Sequence, residues 1–560
     1  MAKTMTLKYL EQIEFKRKLV EWIEQRFTNN NTFKTLFISL GNAETRCKVW
    51  STTDVDLNKV IKRAMVYIDK SFSKSNASIE YIKLDLVQNI KEKEWGDVVT
   101  EIETQVHNNH FRKGISFDAQ FGICLLEQEI YGRSVIRGVV YNEPNFIDEK
   151  NLKTTLDKKY GKLTEKFDFK KIKKVYLFDT QSAIYEKQQF IELQTGGCQN
   201  GVRYIDENNN KDHIIQMIEK NAAFLHDQIK DNGRFIYGYF PAYNREIKSY
   251  NTVRHCTSLY ALIETFEINK QEQYWFKIHQ SIDYALTHFY KEPQLGTAYM
   301  IDGLDDEPEI KLGSNAAAIL MLTKYQEITQ DNRYQKYAES LAKGIQTMID
   351  EQGETTHILN YPSLEIKDKF RIVYYDGEAA LALLRLYQIN KNTVLLDTVK
   401  LMFEHFILKN YDKYHDHWLS YCTNELTKIC PEKKYFQFGL NNYLKHMDFI
   451  RNRQTVYATL LEMMMSAYKM LVRMEEQGFT ELLKSAKFEE LKELIQLRVE
   501  FQRNGFFYPE VAMYMQKPKN ILHGFYVRHD RLRTRIDDQE HNLSGYVAYI
   551  NYFDIQNKIN

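Results

Sequence analysis

Asn315-Ala316-Ala317-Ala318-Ile319-Leu320-Met321-Leu322 is apolar all round, and what precedes it decides the fold. Upstream lie a polar-faced helix, the turn Gln294-Leu295-Gly296-Thr297-Ala298 and an extended, aromatic-rich stretch. The same unit recurs across residues 212 to 553. Its other turns are Asp231-Asn232-Gly233-Arg234-Phe235, Glu351-Gln352-Gly353-Glu354-Thr355, His415-Asp416-His417-Trp418 and Arg503-Asn504-Gly505-Phe506-Phe507. The apolar helices that follow start near Asn251, Ser314, Tyr375, Asn452 and His541. A helical hairpin cannot bury its apolar face alone, so repeated hairpins must stack. The second helix of each pair is the greasier one. That asymmetry predicts a closed ring of at least five hairpins, apolar helices inside and amphipathic helices outside.

Residues 1 to 197 read differently. Helices are expected over about 7 to 27, 56 to 71 and 92 to 106. Thr35 to Leu40 and Thr45 to Trp50 alternate around Gly41-Asn42, a hairpin signal, and Ile79 to Val87 reads as a further strand. Strand-like runs at Val175 to Phe178 and Ala183 to Leu193 follow. The fold class is therefore α+β: a mixed α/β domain over 1–197, a Gly/Asn-rich linker over 198–211 and a mainly helical ring over 212–560. Neither GxGxxG nor GxxxxGK[ST] occurs, which disfavours nucleotide binding through those loops.

The formal net charge of +1 gives no electrostatic case for nucleic acid or an anionic membrane. Six scattered cysteines with no close pair exclude a disulfide framework. The chain opens without an apolar secretory core and carries no run of about 18 apolar residues. A soluble, cytoplasmic protein is expected, with a small molecule or oligosaccharide as substrate and no cofactor.

In a closed ring the polar residues at the starts of the inner helices converge. Asn251 is placed to cap the first, with Arg254 and His255 in its opening turns, where the helix N-terminus adds positive potential. Ser314-Asn315, Tyr375-Asp376-Gly377-Glu378, Arg451-Asn452-Arg453-Gln454 and Asp537-Asp538-Gln539-Glu540-His541 are the equivalents. Glu378 precedes Ala379-Ala380-Leu381-Ala382-Leu383-Leu384, and desolvation there would raise its pKa and suit a general acid. The stretch His523 to Asp538 interleaves Arg with Asp. Arg528, Arg535 and Asp538 are expected to face the site, since Arg forks take carboxylates or phosphates. The candidate catalytic residues are His255, Tyr375, Glu378 and Asp538. Those for substrate binding are Asn251, Arg254, Arg453, Arg528, Arg535 and His541. His415 and His417 lie two apart with no third ligand beside them, so no metal is expected.

The repeat, with its Gly/aromatic turns and helices such as Asn315 to Leu322 and Glu378 to Leu386, resembles the α/α-toroid carbohydrate-active enzymes: glycoside hydrolases, sugar 2-epimerases, uronate lyases and glucuronyl epimerases. The resemblance covers residues 212 to 553 and rests on architecture, without a specific signature. It implies acid/base chemistry on an oligosaccharide or surface-polysaccharide precursor that carries acidic sugars. In the lyases and epimerases an Asn or Arg neutralises the sugar carboxylate while Tyr and His move the C5 proton. Asn251, Arg254, His255 and Tyr375 are the matching types here. In the hydrolases paired carboxylates act, with Glu378 and Asp538 or Asp537 as candidates. Lanthionine cyclases share the toroid and bind zinc through an adjacent Cys-His pair; here the order is His255-Cys256. A non-catalytic glycan- or peptide-binding scaffold is the contrasting class.

Overall fold

The computed structural model describes residues 9–27, 32–74, 79–107, 109–138, 144–164, 168–206, 210–303 and 307–554. The expected start of the chain at 1–8 and the 207–209 part of the expected linker lie outside the described residues. The chain divides into two compact units: Met1–Glu207, Gly238–Glu246 and Arg503–Thr534 form one, and Asn208–Tyr237, Ile247–Gln502 and Arg535–Asn560 the other.

The first unit is built on an antiparallel sheet of β1 (Lys34–Gly41), β2 (Lys48–Asp54), β3 (Tyr81–Glu94), β4 (Gly114–Ser116), β5 (Cys124–Leu125), β6 (Lys174–Glu186) and β7 (Gln189–Leu193). The order is β2-β1-β3-β6-β4-β5, with β7 also on β6. The period of two sorts β1 onto two faces. Leu36, Ile38 and Leu40 pack on helices Tyr9–Arg26 and Leu57–Lys74, together with Phe15, Trp22, Val60 and Ile68. Phe37 turns the other way, onto Val87, Phe178 and Met513, and Ser39 joins it there by bonding Tyr514. Two expectations are corrected here. Residues 503–534 and 238–246 do not belong to the helical ring, and the expected 198–211 linker is not a free connector. Asn200 and Arg203 are buried in this unit, where Arg203 forks onto Glu510 at 2.8 and 2.7 Å. Desolvated ion pairs of this kind fix chain segments because breaking one strands a buried charge.

Among the described residues the second unit holds twelve long helices: α1 (Asn210–Asp227), α2 (Thr252–Glu264), α3 (Trp275–His288), α4 (Leu312–Thr329), α5 (Gln335–Thr347), α6 (Tyr375–Asn390), α7 (Thr393–Leu408), α8 (His417–Ile429), α9 (Lys433–Leu444), α10 (Thr459–Glu476), α11 (Phe488–Gln502) and α12 (Ile536–Ala548). The even-numbered helices pack in sequence, α2 on α4, α4 on α6, α6 on α8, α8 on α10 and α10 on α12, and α12 returns to α2. Each odd-numbered helix packs on a member of this circuit. On α5 only Ala338, Leu341, Ala342, Gly344 and Ile345 are buried, a single helical stripe, whereas α4 is buried continuously from Leu312 to Tyr325. The turn glycines Gly233, Gly296 and Gly353 have φ of 85°, 77° and 81°, a region that costs other residues but not glycine.

The fourth expected turn is a different feature. His415-Asp416-His417-Trp418 opens α8, with Asp416 as its N-cap accepting from the Trp418 and Leu419 amides. Thus α8, whose start reads from sequence as a turn, is a member of the circuit. Its threonines disguised it: Thr423 and Thr427 donate their hydroxyls back to the carbonyls of Leu419 and Thr423 and so enter an apolar interface as satisfied groups. Arg451-Asn452 ends a short helix, Met447–Asn452, and the inner helix begins only at Thr459. Among the described residues no helix is long and apolar enough to cross a membrane.

The two kinds of helix separate in a mutational test. Leu384 on α6 is fully buried, and Leu401 on α7 is 37% exposed. Leu384→Ala is expected to cost about 2–5 kcal/mol and Leu401→Ala about 1 kcal/mol or less, measured by urea unfolding. Equal costs would contradict the inner and outer assignment.

Candidate active site

The opening turns of the inner helices bring carboxylates and imidazoles together. On α12, His541 Nδ1 lies 3.0 Å from Glu462 Oε2 of α10 and its Nε2 lies 3.2 Å from Glu540 Oε2. Tyr421 of α8 donates to the other Glu462 oxygen at 3.2 Å. His417, the first residue of α8, stands with its ring centroid 5.2 Å from that of His541. Its Nδ1 is 3.2 Å from Asp416 Oδ1, and its Nε2 is buried with no hydrogen-bond partner among the described residues. Glu378 on α6 is buried, and its Oε2 is likewise without a partner. It abuts Gly313 of α4, where a Cβ would collide with the Glu378 carboxylate and the Tyr375 ring.

Electrostatics divides these groups. Burial, then Asp416 and Glu540, hold the Glu378 carboxyl well above the usual carboxylate range. Burial pushes His417 down to about 3. His541 goes the other way: burial opposes its charge, but Glu540 and Glu462 outweigh it and draw the imidazole up. Glu540 is drawn up by burial against the pull of His541. Two imidazoles in adjacent positions are thereby held in opposite protonation states, one neutral and one cationic.

The expected residues distribute around this row. Glu378 and His541 are in it, and Tyr375 lies beside Glu378, its phenol pushed up by burial and by that carboxylate. Asn251, Arg254, Arg535 and Asp538 form a neighbouring network. Asn251 caps α2 by accepting from the Arg254 amide and reaches Asp302 with its Nδ2. Arg254 pairs with Asp537 at 2.9 Å and donates to Tyr237. Arg535 pairs with Asp537 and Asp538, each at 3.0 Å. Asp538 also accepts from the Arg535 amide at 2.8 Å, so this carboxylate is engaged in capping its own helix. Arg453 lies over the Phe449 and Tyr457 rings, 5.2 Å from each centroid. Arg528 belongs to the first unit, buried over Tyr131 and Tyr526.

His255 is placed unlike a catalytic base. It is fully buried, with Tyr250 OH on Nδ1 at 2.7 Å and the Ser281 carbonyl on Nε2 at 3.0 Å. The Phe235 amide donates to Tyr250 in turn. This relay uses both ring nitrogens of a neutral imidazole.

Sequence reading did not select His417, Glu462 or Glu540. Glu462 carried a usable signal: it is the lone charge in Leu460-Leu461-Glu462-Met463-Met464-Met465 and is fully buried, which demands a partner. His417, Glu462 and His541 also offer donor atoms all within 4.8 Å of one another, and are the groups here that could hold a metal ion.

No family model matches the chain, and no curated protein matches it. Solved structures similar to it include cellobiose 2-epimerase from Bacillus thermoamylovorans B4167, at 14% identity over 61% of this chain and 99% of that one, TM-score 0.47. A D-mannose isomerase matches at 14% identity over 62% and 99%, TM-score 0.47. A GH76 α-mannanase of Bacteroides thetaiotaomicron matches at 11% identity over 61% and 97%, TM-score 0.43. Likenesses this distant leave the reading of the site to its own side chains.

The relay at His255 has a pH signature. Burial pushes this histidine from 6.5 down to about 4. The unfolded chain therefore binds a proton that the native state refuses between these values. Its contribution is intact above pH 6.5 and is lost as pH falls to about 4, a change of roughly 3 kcal/mol. His255→Gln is expected to flatten the acid limb of the stability–pH curve, followed by denaturant midpoints. An unchanged slope would show that His255 titrates normally in the folded protein.

Proposed function

We propose that the second unit is an α/α toroid of six hairpins whose inner-helix starts perform acid–base chemistry on a sugar. The observation that carries this reading is the imidazole pair. His417 presents a neutral, unpartnered Nε2 that can accept a proton. His541 is held between Glu462 at Nδ1 and Glu540 at Nε2, and donates a proton once a bound sugar oxygen takes the place of Glu540 at Nε2. Such a pair suits removal of a proton from a carbon next to a carbonyl and its return at another face or atom. His417 takes the C–H proton and leaves an enediolate, and His541 supplies one proton to it to give the product. The outcome is an epimer or isomer with no change in composition. General acid–base groups of this kind contribute about 10²–10⁴-fold each.

The sugar assignment is supported by the surroundings. Tyr374 packs edge-on to His417, its ring centroid 5.6 Å away. With Tyr457 and Arg453 beyond, it offers an aromatic and guanidinium flank to a polar, flat ligand. The alternative in which Glu378 and Asp538 act as a hydrolytic carboxylate pair is weaker, because Asp538 is committed to Arg535 and to its helix cap. A second reading follows from the donor set: two imidazoles and one carboxylate suit Zn²⁺ or a similar ion with a coordination position left open. Stoichiometric, tight Zn²⁺ uptake that His417→Ala abolishes would favour it.

The test of the main reading is deuterium exchange. Reducing sugars such as mannose, glucose and cellobiose incubated with the protein in D2O are expected to gain deuterium at carbon, followed by proton NMR. His417→Ala and His541→Ala should each slow exchange by about 10²-fold or more with native circular dichroism retained. Variants that exchange at the wild-type rate would remove these imidazoles from the chemistry.

A further inference from the structure

The first unit carries a feature that the sugar chemistry does not use. A recess of about 560 Å³ is lined by Arg46, Arg133, Lys158, Lys517, Glu44 and Asn244, among others. These residues come from distant parts of the chain: the β1–β2 loop, the ends of two helices and segments 238–246 and 503–534. Their frame is fixed by backbone bonds, Cys47 N to Met513 O at 2.7 Å, Gln516 N to Pro241 O at 3.1 Å and Lys519 N to Ala43 O at 2.7 Å. Asn42 Oδ1 tightens the loop further by accepting from the Glu44 and Thr45 amides, each at 2.9 Å.

The recess gathers positive charge without neutralising it. Among the described residues Arg46, Arg133, Lys158 and Lys517 form no ion pair, and Glu44, the acidic group in the lining, is held by Lys519 at 2.8 Å. Among the described residues the Arg46 guanidinium makes one hydrogen bond, NH2 to the Ala242 carbonyl at 2.6 Å, and its Nε is buried with no hydrogen-bond partner. Burial and the neighbouring Arg133 charge push Arg46 down to about 10. Two arginines held together without a counter-charge are unfavourable unless an anion joins them.

We propose that this recess is a binding site for a phosphate-bearing anion, gripped by Arg46 and Arg133 and flanked by Lys158 and Lys517. A carboxylate brings one negative charge to four cations. A phosphate brings about 1.5 to 2 and offers three acceptor oxygens, which guanidinium groups take in bidentate fashion. Pyrophosphate brings more charge still and has room in the volume available.

Isothermal titration of the full chain at low ionic strength with inorganic phosphate, pyrophosphate and D-glucuronate tests this. Saturable binding is expected with pyrophosphate tighter than phosphate and glucuronate weakest. The Arg46→Gln/Arg133→Gln variant should bind pyrophosphate at least about tenfold more weakly, a loss of about 1.4 kcal/mol, with unchanged circular dichroism. If that variant does not fold, Lys158→Gln/Lys517→Gln carries the test and should weaken binding several-fold. No saturation by either phosphate species up to about 10 mM would overturn the proposal. So would wild-type affinity in the folded variants, or glucuronate binding as tightly as pyrophosphate.

Discussion

The circuit of the second unit depends on its last helix reaching its first. Ser544 of α12 donates to Glu264 of α2 at 2.6 Å across 280 residues of sequence, and Arg254 of α2 meets Asp537 of α12 at the opposite end of the same contact. Without that closure α2 and α12 would each expose an apolar flank, as terminal units of an open stack do. Closure also brings the starts of α6, α8, α10 and α12 to one place. The polar row is a consequence of the ring, because Glu378, His417, Glu462 and His541 lie on different hairpins and share no local sequence context.

Gathering carboxylates there opposes stability. Glu378, Glu462 and Glu540 are all buried, and neither the Glu378 nor the Glu540 carboxylate has both oxygens bonded among the described residues. Helix N-termini offset part of the cost, since their positive ends favour negative charge within the first turn. His541 offsets more by pairing with two of the three. The remainder is a local strain of the kind that folds carry at functional sites. The His255 relay is the contrast. It is as deeply buried, but every polar atom in it is matched, and it reads as support for the wall between α2 and α3.

The architecture was legible because it is written in period and asymmetry. The run Asn315 to Leu322 has no polar face, α5 has one apolar stripe, and the glycine turns recur at matching points. Each of these is a local property. What escaped was non-local. Residues 503–534 read as another repeat because the Asn504-Gly505-Phe506 turn resembles the others, yet Glu510 pairs with Arg203 and Arg528 lies over Tyr131, both of the first unit. The same blindness affected the site. His255 and His417 both sit at the start of an inner helix, and no spacing rule tells which imidazole will find two partners and which will be left with one nitrogen free.

Hydrogen-bond logic alone then fixes the charge states in the row. Both nitrogens of His541 face carboxylate oxygens, and carboxylates only accept. With both carboxylates ionised, the ring satisfies both by carrying two protons. Among the described residues His417 has Asp416 beside Nδ1 and no hydrogen-bond partner at Nε2. A proton on Nε2 would be a buried donor without an acceptor, which costs about 1–3 kcal/mol and more for a charged ring. The ring is therefore neutral, with its lone pair on Nε2. Glu462 is the pivot of this arrangement: Tyr421 orients one of its oxygens and His541 takes the other.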